Sequence, residues 1–392
     1  MQWINRKITN ELADLINSRP CVLLTGIRQT GKSSLLQRIL PDARYITFDD
    51  YLLADSAETN PKAFLSSLSE KQIILDEIQY VPGLFRELKI LIDQDRRIPA
   101  RWILTGSQKF VLMEAARESL AGRIGLIELE TLSSEELSSD FPEKESKNLL
   151  WQGGFPELWA NGNINISSYL GDYITTYLEK DLRSIINTPN LRDFNRFLRA
   201  CAVRTGSLVN YTDMARDTGI SPNTAKAWLN TLVRSGIITL LEPWFGNLSK
   251  RFTKSPKIFF NDQGILCHLL NITGFDQLES SPFSGAVWEN FVFNELIRTS
   301  GISPAVNLFF YRDQNKVEVD FLIETGSRII LIEAKFAERP GKTKVPAVGD
   351  LLNADSSSRY CACRVPGKGL FPSRDGIVLY NPLLTGLVLH PA

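Results

Sequence analysis

The chain has 392 residues, long enough for two or three domains with cores of their own and too long for one compact domain. Hydrophobic residues make up 43% and charged residues 22%, a balance that excludes a disordered or fibrous protein. Lys plus Arg and Asp plus Glu both total 44, so no overall charge announces nucleic acid or a membrane surface, and any polyanion site must be local.

Residues 1–135 alternate short apolar runs with amphipathic segments. The runs Cys21 to Thr25, Ile73 to Leu75, Trp102 to Thr105 and Ile124 to Leu129 predict a parallel sheet wrapped by helices. Gly26-Ile27-Arg28-Gln29-Thr30-Gly31-Lys32-Ser33-Ser34 joins the first run to an amphipathic helix. Glycines there let the backbone turn its N–H groups inward, Lys32 reaches terminal phosphates and Ser33 supplies a hydroxyl for magnesium. Ile73-Ile74-Leu75-Asp76-Glu77 ends a strand in two carboxylates, Asp76 to hold hydrated Mg2+ and Glu77 to polarise water. Thr105 or Ser107 is expected at the γ-phosphate or the attacking water. Phosphoryl transfer also needs positive charge over its transition state, for which Arg123 and Arg117 are candidates, and Trp3 and Arg6 are candidates for contact with the base. The cofactors expected are ATP and Mg2+.

These motifs, with Leu104-Thr105-Gly106-Ser107 and Leu120-Ala121-Gly122-Arg123, resemble the prokaryotic AAA-type P-loop ATPases that carry a C-terminal domain of unknown function numbered 4143 (DUF4143). The likeness spans nearly the whole chain. It implies a RecA/AAA-like nucleotide fold, assembly into a ring or other homo-oligomer, and an arginine acting across subunits, but no second sensor arginine can be placed.

Residues 136–205 read as a helical lid or connector, broken by Ser133 to Ser146 and by Gly153-Gly154-Phe155-Pro156. Residues 206–250 read as a winged helix-turn-helix: helices at Tyr211 to Thr218 and Pro222 to Ser235, then the apolar Ile237 to Leu241. Ser221 caps the second helix, whose Ala225, Trp228, Leu229 and Leu232 fall at core spacing. Asn223, Thr224, Lys226 and Asn230 are left to face a DNA groove, with Lys250, Arg251, Lys254 and Lys257 strengthening a phosphate-binding face.

Residues 251–392 predict a separate α/β domain, with a helix at Ala286 to Thr299 and strands at Leu308 to Tyr311, Val317 to Ile323 and Ile329 to Phe336. Alternation sets Asp320 opposite Val319 and Phe321, and puts Glu333 and Lys335 on one face. Two carboxylates and a lysine can hold Mg2+ and activate water. The order, an acid followed by acid-x-lysine, resembles the nuclease fold of type II restriction enzymes, and the resemblance implies an upstream helical glutamate, matched better by Glu289 than by Glu295. A solvated hairpin face carrying an ion pair, or a nuclease fold kept only to grip DNA, fits the same residues.

Five cysteines without a CxxC pair give neither a disulfide framework nor a zinc ribbon, and Cys361-Ala362-Cys363 reads as two half-buried thiols in a strand. Only His268 and His390 are present, so histidine metal sites and Ser/His/Asp triads lack material. No apolar run approaches the ~20 residues of a membrane span, and Met1 to Thr9 is too polar to open a secretory signal. A cytoplasmic ATPase that binds and remodels or translocates DNA is the leading expectation. An ATP-regulated nuclease and a protein-binding switch are the alternatives.

Overall fold

The computed structural model describes residues 3–95, 99–138, 140–141, 146–178, 191–245, 255–299, 301–304, 306–326, 328–352 and 358–386. The chain divides into two compact units, Asn5–Glu130 with Arg234–Gly236, and the remainder.

The unit Asn5–Glu130 is an α/β layer structure. Its strands are β1 (Cys21–Thr25), β2 (Arg44–Thr47), β3 (Ile73–Asp76), β4 (Trp102–Thr105) and β5 (Ile124–Glu128). They form one parallel sheet in the order β2-β3-β4-β1-β5. β1, β3 and β4 are buried along their whole length, which is why they read as unbroken apolar runs. β2 was not among the expected strands: it lies at the sheet edge with only Ile46 buried, so its sequence lacks that signal.

The helices are α1 (Thr9–Ser18), α2 (Lys32–Ile39), α3 (Tyr51–Thr59), α4 (Pro61–Ser66), α5 (Leu84–Gln94) and α6 (Lys109–Leu120). α5 buries Leu84, Phe85, Leu88 and Ile92, and α6 buries Leu112, Ala116 and Leu120. This three-to-four spacing lays one stripe of each helix on the core of Leu23, Leu75 and Leu104. Asp50 caps α3 by accepting from Leu52 N and Leu53 N, and Asn60 with Pro61 starts α4.

In the other unit, α7 (Leu191–Val203), α8 (Tyr211–Thr218) and α9 (Pro222–Arg234) precede an antiparallel ribbon of β6 (Ile238–Leu241) and β7 (Lys257–Phe260). α8 and α9 match the expected helices closely. Asn210 caps α8, Gly219 ends it at φ 76°, and Ser221 Oγ accepts from Thr224 N to start α9. Ala225, Trp228, Leu229 and Leu232 are buried as expected, Trp228 standing edge-on to Phe194 and Phe197 of α7.

After α10 (Gln263–Leu269) and α11 (Ser284–Ile297) come β8 (Leu308–Arg312), β9 (Glu318–Thr325), β10 (Arg328–Lys335), β11 (Arg359–Cys363), β12 (Leu370–Pro372) and β13 (Val378–Tyr380). Their sheet has the order β12-β13-β11-β10-β9-β8; β8, β9 and β10 are antiparallel, and β10-β11 and β11-β13 are parallel. Cys361 and Cys363 are buried thiols on β11. One buried amide ties α11 to β7: Asn290 Oδ1 accepts from Phe260 N and Thr205 Oγ1, and its Nδ2 donates to Phe260 O and Gln263 Oε1.

Candidate functional site

The loop between β1 and α2 leaves the sheet at its carboxyl edge, where β3 delivers Asp76 and β4 leads to Ser107. Carboxyl edges of parallel sheets gather ligands because the loops there face a helix N-terminus. Gly26 has φ 145° and Gly31 φ 90°, and Gln29 sits at φ 63°, so the loop is held in conformations that favour glycine. A Cβ on Gly26 would stand 2.3 Å from Leu129 O, whereas one on Gly31 would meet nothing within 4 Å. Gly26 is therefore demanded by close packing, and Gly31 by the turn alone.

Lys32, only 6% exposed, donates from Nζ to Gly26 O and Ile27 O, both at 2.9 Å. Burial pushes its pKa down to about 8, against the pull of Glu77 and Asp76. An ammonium resting on two neutral carbonyls is poorly compensated, and phosphate oxygens are a better partner. Ser33 Oγ donates to Asp76 Oδ2 at 2.6 Å, which puts a hydroxyl and a carboxylate side by side as a magnesium ion needs them. Thr30 is fully buried, its hydroxyl on Ile27 O at 3.0 Å; Arg28 reaches Tyr80 OH at 3.4 Å, and Ser34 is exposed at the start of α2.

Residues outside the motif complete this geometry. Tyr45 on β2 donates its hydroxyl to Asp76 Oδ2, the oxygen that Ser33 also bonds. Glu77 adopts φ 54°, and its Oε2 accepts from Gln79 Nε2 and, at 3.3 Å, from Ser107 Oγ. Of the two strand-end hydroxyls, Ser107 is thus the one at Glu77, while Thr105 is sealed inside the sheet. Arg6 braces the loop: it donates to Thr30 O at 2.7 Å and Glu130 O at 2.6 Å. Trp3 falls in the other unit. Arg123 grips Asp93 with two hydrogen bonds of 2.7 and 2.8 Å, and Arg117 is exposed near the end of α6.

In the other unit, Asn223, Lys226 and Asn230 are exposed on α9 and Thr224 is half-buried. Glu289 on α11, Asp320 on β9, and Glu333 and Lys335 on β10 do converge. Lys257 overturns its expected place on a phosphate-binding face: it is buried at the head of β7, its Nζ 2.8 Å from Glu289 and 2.6 Å from Glu318. Lys250, Arg251 and Lys254 lie outside the described residues. Among the described residues no group of three or more His, Cys, Asp or Glu is disposed to hold a metal ion.

Residues 18–138 match the family model of the AAA domain, residues 143–276 that of a domain of unknown function (DUF8612), and residues 284–381 that of DUF4143. The uncharacterized protein Rv2008c of Mycobacterium tuberculosis is 32% identical over 379 residues, covering 95% of this chain and 82% of that protein. The chain belongs to this family of AAA-domain ATPases with a C-terminal DUF4143 domain. Among solved structures, the Walker-type ATPase PABY2304 of Pyrococcus abyssi is similar with a TM-score of 0.46 and 21% identity, over 68% of this chain and 96% of that one. The RuvB Holliday junction branch migration motor of Thermotoga maritima is similar with a TM-score of 0.29 and 17% identity, over 60% and 89% of the two chains. For this DUF4143 ATPase, membership of the family carries nucleotide binding, and the chemistry of Lys32, Ser33 and Asp76 fits that ligand.

Proposed function

We propose that this chain hydrolyses ATP with Mg2+ and uses the nucleotide cycle, as a ring or other homo-oligomer, to bind and remodel or translocate DNA. The observation that carries the hydrolytic part is the Ser33–Asp76 contact of 2.6 Å beside the buried Lys32 ammonium. In this reading Gly26 to Ser34 wrap the phosphates, and Lys32 swings from the carbonyls of Gly26 and Ile27 to the terminal phosphate oxygens. Ser33 and Asp76 hold the magnesium ion, which when bound neutralises charge building on the phosphate oxygens. Glu77 orients the attacking water and takes its proton, with Ser107 and Gln79 fixing the carboxylate. Arg123 serves as a finger toward a neighbouring subunit only after releasing Asp93.

We read residues 1–135 as the ATPase domain, 136–205 as a helical lid, 206–250 as a winged helix-turn-helix and 251–392 as a restriction-endonuclease-like domain, all in the cytoplasm. The buried Trp228 side of α9 leaves Asn223, Thr224, Lys226 and Asn230 for the groove. The test is ATP hydrolysis by wild type, Glu77→Gln and Asp320→Ala, with and without duplex, forked and single-stranded DNA, inspecting the DNA for cuts. DNA-stimulated hydrolysis lost in Glu77→Gln with uncut DNA supports the reading. Indifference to every DNA replaces it with a protein-binding switch, and cutting abolished by Asp320→Ala replaces it with a regulated nuclease.

A further inference from the structure

Four carboxylates from three elements crowd one place in the C-terminal sheet: Glu289 of α11, Glu318 and Asp320 of β9, and Glu333 of β10. Left alone, such a group repels itself and attracts a divalent cation. Lys257 already stands among them. Its Nζ lies 2.8 Å from Glu289 Oε1, 2.6 Å from Glu318 Oε1 and 3.7 Å from Asp320 Oδ1, and its side chain is 3% exposed. Lys335 holds Glu333 Oε1 at 2.7 Å, Arg312 holds Glu318 Oε2 at 3.2 Å, and Ala334 N donates to Asp320 Oδ2 at 2.9 Å. The Glu333 oxygen that remains, Oε2, is buried without a hydrogen-bond partner. Burial raises the Glu289 and Glu333 carboxyls, and the Lys257 and Lys335 ammonium groups oppose that rise.

The lysine is seated by main-chain pairing on both sides of its strand. Lys257 pairs with Leu241 of β6 and bridges to Leu208. Next to it Gly206 N donates to Ile258 O and Ile258 N to Ser207 O, and a Cβ on Gly206 would come within 2.9 Å of Glu289 Oε2. The ammonium is therefore held by backbone, and the segment that holds it roofs the carboxylates. A magnesium or manganese ion placed between Glu289, Glu318 and Asp320 would share that space with a fixed positive charge about 3 Å away, where like-charge repulsion is strong.

We propose that Lys257 is the resident cation of this carboxylate cluster, and that while it is seated the C-terminal domain binds no divalent metal and cuts no DNA. The acid, acid and lysine of β9 and β10 then act as a structural lock that fastens β7 to the sheet. Lys257 is the bolt. The proposal is independent of the ATPase reading, because it concerns the other compact unit.

The experiment counts bound Mn2+ by electron paramagnetic resonance on the full chain, without nucleotide, in an Asp76→Asn background that disables the other metal position. Four forms are compared: Lys257 intact, Lys257→Ala, Lys257→Gln, and Lys257→Ala with Asp320→Asn. The intact form should bind no Mn2+ at the cluster. Lys257→Ala or Lys257→Gln should gain one bound ion, and Asp320→Asn should abolish that gain. Mn2+ bound by the intact form and lost on Asp320→Asn overturns the proposal, as does magnesium-dependent DNA cutting by the intact chain that Asp320→Ala removes. No gain of Mn2+ in a Lys257 variant that keeps a cooperative melt also overturns it. Should both Lys257 variants fail to fold, Mn2+ binding at the cluster or magnesium-dependent cutting by the intact chain still overturns the proposal.

Discussion

Replacing Gly26 by alanine separates two reasons for a glycine that the phosphate loop displays five residues apart. At Gly26 the new Cβ would lie 2.3 Å from Leu129 O and 3.2 Å from Leu129 C, at φ 145°. Restoring an ordinary contact moves Leu129 by about 1 Å, and Leu129 N is bonded to Thr25 O at 2.8 Å. Backbone strain of about 1–3 kcal/mol and the loss of one hydrogen bond, about 1 kcal/mol, sum to about 3 kcal/mol. For a unit of this size that lowers the melting temperature by about 10 °C. At Gly31 the same change meets open space, so only the φ of 90° counts, about 1 kcal/mol or about 3 °C. Differential scanning calorimetry of the two variants without nucleotide measures both. Equal falls, or a Gly26→Ala protein within about 2 °C of wild type, would refute the packing argument.

Three further outcomes follow from the geometry. Lys32 is held down to about 8, below the 10.5 of a free lysine, so between about pH 8 and 10.5 the unfolded chain carries a proton that the folded loop has shed. Relative to Lys32→Met, wild-type stability therefore rises with pH across that window; Lys32→Met melts higher at pH 7, and ATP binding near pH 8 takes up protons, which calorimetry in buffers of different ionisation enthalpy reads. Glu77→Gln should lower kcat by about 10²- to 10⁴-fold while leaving the ATP dissociation constant within about threefold; a similar fall in affinity would remove Glu77 from the chemical step. Asn290→Leu strands the Phe260 N–H and carbonyl and the Gln263 amide, costing about 3 kcal/mol in urea unfolding, and an unchanged midpoint would show that the amide network is dispensable.

What could be read from the chain in advance was whatever chemistry confines to one stretch. A phosphate loop needs its glycines, lysine and hydroxyl within nine residues, and a buried parallel strand needs an unbroken apolar run, so β1, β3, β4 and the loop were all visible. Partners brought in by the fold left no such trace. Tyr45 reaches Asp76 from an edge strand whose exposure pattern hides it, and Gln79 belongs to no motif. Lys257 was misplaced because a lysine next to Lys250, Arg251 and Lys254 looks like part of a basic surface. The signal that assigned it elsewhere was the run Ile258-Phe259-Phe260, every residue of which is buried along with Lys257 itself.

The sheet order has a consequence for how the molecule is made. β4 lies between β1 and β3, although both precede it in the chain. A nascent chain that has emerged as far as Asp76 can pair β2 with β3, yet β1 has neither of its neighbours until Trp102–Thr105 and Ile124–Glu128 are available. The phosphate loop thus stays attached to an unpaired apolar strand through most of the synthesis of its unit, which makes this stage the one most exposed to aggregation and most in need of a chaperone.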